Sequence, residues 1–118
     1  MTNKADQTLV ERKLIEDLLY GDEKFVREFA AASVQSFSEF AENYRTFLLQ
    51  RNETNFRKVG HKIKPVAQML NLEMIIDEYE HAKTLLLNAD SDESDLVASA
   101  DRIDEICKQV IADLEAMQ

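Results

Sequence analysis

Three side chains stand out for nucleophilic or metal-binding chemistry: His61, His81 and Cys107, the only histidines and the only cysteine in 118 residues. Cys107 falls in an apolar stripe, so a buried, unreactive thiol is expected there. The histidines lie twenty residues apart, and no metal site is expected from them. His81 has no distinctive neighbours and reads as a surface or boundary residue. There is no glycine-rich phosphate loop, and spacing alone pairs no serine or cysteine nucleophile with a histidine. His61 is different.

Between Glu53 and Glu73 there is no acidic residue, yet Arg57, Lys58, Lys62 and Lys64 all fall there. The remainder of the chain holds 10 basic residues against 23 acidic ones, so a short basic strip interrupts an otherwise strongly acidic molecule. At about 100° per residue, Phe56, Val59, Ile63, Val66, Ala67 and Leu70 share one side of a helix. His61 falls close to the opposite side. Arg57 lies one turn before it, Lys64 and Pro65 one turn after, and Gln68 two turns after. The expected arrangement is a solvent-facing imidazole with a guanidinium, an ammonium and an amide close by. Those cations would stabilise an anion on or near the ring, and phosphoryl transfer asks for little beyond position and charge compensation. An ordinary solvated helix face has the same composition. Pro65 favours the functional reading. Inside a helix it removes the hydrogen bond to the carbonyl of His61, at a cost of about 3 kcal/mol. The helix must kink or open there, or absorb the defect as a bend.

The elements that position this strip are helical. Only two glycines and one proline occur, too few for a turn-rich β fold. Leu14, Ile15, Leu18 and Leu19 form a short stripe that stops near Tyr20-Gly21. Asp22 is a good N-cap, and from there Phe25, Phe29, Ser33, Phe37, Phe40, Tyr44 and Phe47 step by three or four residues. That stripe is expected to pack into the core. Asn52 can cap the third helix, and Asn71 tolerates the left-handed conformation that ends one. A fourth helix carries Ile75, Tyr79, Ala82 and Leu86. After the polar loop at 88–94, the last runs through Leu96, Ala100, Ile103, Cys107, Val110, Leu114 and Met117. The expected fold is all-α: an antiparallel four-helix bundle with an additional short N-terminal helix.

Composition narrows the partners. A formal net charge of −9 and a pI near 4.7 argue against nucleic acid and against an anionic membrane surface. At 45% hydrophobic residues the chain can build a core, and no apolar run approaches a membrane span. Residues 1–6 lack the apolar stretch of a signal peptide, and a lone cysteine suits a reducing compartment, so a cytoplasmic location is expected. No linker or second motif is visible, and a freestanding chain is expected.

The run Gly60-His61-Lys62-Ile63-Lys64-Pro65-Val66-Ala67-Gln68-Met69-Leu70-Asn71-Leu72 resembles the signature of histidine-containing phosphotransfer (HPt) domains. That signature is His-x-x-Lys, a small residue, an apolar helix end, usually a glycine, and a leucine. Residues 20–29 resemble the start of the family's second helix, and the likeness covers nearly the whole chain in helix order and length. The resemblance implies a single HPt-like bundle domain over 1–118, its core at about 9–117. It implies a phosphorelay intermediate of two-component signalling, a phosphocarrier without independent catalytic activity. His61 would be the phosphoacceptor and Lys64 would stabilise the phosphoryl group. Arg57, Lys58, Pro65, Gln68 and Met69 would lie where partner or phosphoryl contacts form. The implied partners are receiver domains of a hybrid histidine kinase and of a response regulator. Magnesium would sit on the receiver and no cofactor on this chain, which is expected to be a monomer. Two positions depart from the pattern: Pro65 stands where glycine usually follows the lysine, and Asn71 replaces the glycine at the helix end. The alternative is a helical adaptor that binds a receiver or other acidic partner without carrying phosphate.

Overall fold

The computed structural model describes residues 8–118, so the reading of residues 1–6 as lacking a signal-peptide stretch lies outside them. The described residues contain no strand. Five helices follow one another: α1 (Arg12–Leu18), α2 (Glu23–Leu49), α3 (Glu53–Met69), α4 (Glu73–Leu87) and α5 (Glu93–Glu115). α2 packs on α3 and α5, and α4 packs on the same two, closing a four-helix ring with α1 against α2. The bundle with a short N-terminal helix is the architecture read from the sequence. None of these helices is long and apolar enough to cross a membrane.

Local chemistry sets the helix boundaries. The Asp22 carboxylate accepts from the Phe25 amide at 3.1 Å and opens α2; the Asn52 side chain does the same for Asn55 and opens α3. Three helices end the same way. The amides of Gly21, Asn52 and Leu72 reach back to the carbonyls of Glu16, Phe47 and Ala67 at 2.7, 2.9 and 2.8 Å. The residue before each is left-handed: Tyr20, Arg51 and Asn71 have φ of 57°, 55° and 59°. This is the Schellman closure, which satisfies carbonyls that the helix end would leave open. Asn71 plays the part its side chain suggested.

The α2 stripe differs from expectation. Its buried line is Val26, Ala30, Ser33, Phe37, Phe40, Tyr44 and Leu48. Phe25 is 53% exposed, and Phe29 and Phe47 are only half-buried. These three lie one position off the core-facing line, and Phe29 and Phe47 turn toward the outer edge of α3. The centre is held by an aromatic chain crossing three helices: Phe40–Tyr44, Tyr44–Phe56 and Phe56–Tyr79 have ring centroids 5.5, 4.9 and 5.1 Å apart. Polar ties surround it. Ser99 Oγ donates to Glu78 Oε2 at 2.7 Å and accepts from Tyr44 at 2.8 Å, while Arg102 grips the same carboxylate at 2.7 and 3.0 Å. Arg45 joins α2 to Asp101 and Asp104 of α5. Cys107 is buried, and burial first, with Asp104 adding, pushes its thiol up to about 12.

Candidate functional site

His61 sits midway along α3 and is exposed. The helix runs unbroken across Pro65. The His61 carbonyl still lacks the amide that any other residue at 65 would supply. Pro65, Gln68 and Met69 are exposed as well, Met69 at 46%.

The basic strip divides along this crest. With about 100° per residue, Arg57, Gly60 and Lys64 fall on the flank toward α4, and Lys58, Lys62, Pro65 and Met69 on the flank toward α2. The contacts follow the same division. Lys64 Nζ meets Glu80 Oε1 of α4 at 3.1 Å, and Lys62 Nζ meets Glu39 Oε2 of α2 at 3.5 Å. Arg57 pairs with Glu53 one turn earlier at 3.0 Å. Among the described residues Lys58 makes no ion pair. The window that is free of acid in sequence thus acquires carboxylates from both neighbouring helices and from its own first turn. Three of its four cations are partnered.

The α4 flank is the more tightly built. Gly60 is buried beneath the Tyr79 ring, so close that a Cβ at 60 would overlap three ring carbons. This is the close approach for which only glycine has room. The Tyr79 hydroxyl donates to the Arg57 carbonyl at 3.4 Å, and the ammonium groups of Lys64 and Lys83 stand 5.9 and 5.5 Å from the ring centroid. Glu80 accepts from Lys83 at 2.9 Å as well as from Lys64. Hydrogen bonds from Lys83 and then Lys64 hold its carboxyl below the usual carboxylate range. Burial, followed by the Glu80 charge, raises the Tyr79 phenol. The Lys64 ammonium is therefore fixed one turn from the imidazole, on a floor made by Gly60 and Tyr79.

Sequence reasoning placed His61, Arg57, Lys64 and Gln68 around one crest, where they are. It gave no part to Gly60, Tyr79 or Glu80. One signal was present: a glycine inside a helix of a chain with two glycines marks a close approach. His81 is exposed, as expected. It lies one turn after Glu78, the spacing of a Glu-x-x-His ligand pair, but Arg102 and Ser99 already occupy that carboxylate. Comparison of the chain with family models, with curated proteins and with solved structures finds no match.

Proposed function

We propose that the chain is a phosphocarrier of the histidine-containing phosphotransfer type, with His61 as phosphoacceptor. The observation that carries this reading is an exposed imidazole at mid-helix with a positioned ammonium, Lys64, one turn away. A ring nitrogen of His61 attacks the phosphorus of an aspartyl phosphate on a receiver domain. The P–N bond forms as the P–O bond to the aspartate breaks, and the carboxylate leaves with the electron pair. The reverse step on a second receiver regenerates the imidazole. Lys64 has three donors, so it can keep Glu80 and still point one N–H at a phosphoryl oxygen. Gln68 and Arg57 flank the same crest and offer further donors. Pro65 and Met69 provide apolar surface for the docking partner, which would supply the magnesium and the aspartate chemistry.

The test is direct. Incubated with a labelled phospho-receiver and magnesium, the protein should take up acid-labile, alkali-stable phosphate. His61→Gln should abolish uptake while leaving stability within about 0.5 kcal/mol, as expected for an exposed position. An adaptor would keep its affinity for the receiver and take up no phosphate. Label that persists in His61→Gln overturns the assignment.

A further inference from the structure

The outer edges of α2 and α3 do not close on each other. A cleft of about 450 Å³ lies between them, within the range of roughly 300–1,000 Å³ typical of small-molecule sites. Phe29, Phe40 and Phe47 of α2 face Val59, Ile63 and Val66 of α3 across it. Room remains because Ser36 and Asn43 stand on α2 between the phenylalanines, where larger side chains would fill the gap. The half-buried Phe29 and Phe47, displaced from the core line, have this cleft as their setting.

Charge at the rim selects the occupant. Lys58 and Lys62, one turn apart, both line the cleft. Glu39, the acid in the lining, is already taken by Gln35 at 2.9 Å and Lys62 at 3.5 Å. Lys58 has no carboxylate partner among the described residues. In a chain of net charge −9, an unpaired cation at the mouth of an apolar cleft is complementary to an anionic head on an apolar body.

We propose that this cleft binds a small amphipathic monoanion, an aryl- or alkyl-carboxylate. Its carboxylate meets Lys58 and its body lies between the phenylalanines and the α3 valines. A neutral molecule of the same shape gives up the lysine, and a bare anion gives up the walls. The proposal needs nothing from His61, so it stands or falls separately from phosphotransfer.

Methyl NMR of the full chain titrated with 4-phenylbutyrate tests it, with 4-phenyl-1-butanol and inorganic phosphate as comparison ligands. Saturable shifts are expected at Val59, Ile63, Val66 and Met69, with a Kd of about 1 mM or tighter. Lys58→Gln should weaken binding about tenfold, and Ser36→Phe should abolish it by filling the cleft. Should Ser36→Phe fail to fold, the exposed Lys58→Gln still decides the matter. Absence of saturable shifts up to ~10 mM overturns the proposal. So does equal affinity for the alcohol, unchanged binding in Lys58→Gln, or cleft shifts that follow protein concentration without ligand, the mark of a second copy in the cleft.

Discussion

At position 60 only glycine fits, because the Tyr79 ring occupies the place of a Cβ. Gly60→Ala gains about 1 kcal/mol of helix propensity and forces a rigid ring to move, which typically costs 1–3 kcal/mol, with severe overlap toward the upper end. A net loss of about 1–2 kcal/mol is expected, measured by urea unfolding. In a Tyr79→Leu background the same substitution should cost less, and equal costs in both backgrounds would refute the contact. Glu78 is one contributor to acid sensitivity, beside Glu80 and Glu39, whose carboxyls are also held below the ordinary range. Burial pushes its carboxyl up, but hydrogen bonds from Arg102 and Ser99, with the Arg102 charge, outweigh burial and leave it below the ordinary 4.5. The unfolded chain therefore binds this proton more readily than the folded one. The carboxylate's contribution is complete above about pH 4.5 and is lost as pH falls through the lower folded value. Glu78→Gln should be less stable at neutral pH by about 1–2 kcal/mol and show a flatter loss below pH 4.5. An unchanged acid limb would show that this carboxylate is not responsible.

At the scale of the helix, ends and faces were legible to different degrees. Asp22, Asn52 and Asn71 announce their helix ends because capping and left-handed tolerance are properties of the side chain itself. Tyr20 and Arg51 announce nothing, since a residue with a Cβ enters the left-handed region only when the fold around it demands this, at about 1–2 kcal/mol. Tyr20 is 97% exposed and so has little packing to lose. Tyr20→Gly should therefore raise stability by about 0.5–1 kcal/mol, seen as an upward shift in Tm; a lower Tm would mean that its ring matters more than its backbone. The phenylalanine stripe was only half legible. Phe25 and Phe29 step by four, and so do Val26 and Ala30, and periodicity alone does not say which pair faces the core. Packing against α5 and α3 decides it. Glu39 and Glu80 were invisible beside Lys62 and Lys64 for the same reason, because they arrive from other helices.

Across the whole molecule, a net charge of −9 surrounds one exposed basic crest. Three of its four cations are partnered by carboxylates on α2, α3 and α4, so the crest offers little unbalanced positive charge to a polyanion, and the proposed role asks it to hold only a single phosphoryl group. Removing Lys64 tests that directly. Exposed ion pairs contribute about 0–1 kcal/mol to folding, so Lys64→Ala should leave Tm nearly unchanged while slowing phosphate uptake from a receiver. Equal uptake rates would remove Lys64 from the mechanism. The fold was readable from helical spacing, and the crest from its missing acids and its resemblance to a family motif. The chemistry of the crest is settled by one measurement: mapping, under alkaline conditions that preserve phosphohistidine, of the phosphorylated residue after exposure to a panel of phospho-receivers. Phosphate on His61 and on no other residue is the result expected; a chain that takes up no phosphate from any receiver, or carries it elsewhere, contradicts the account.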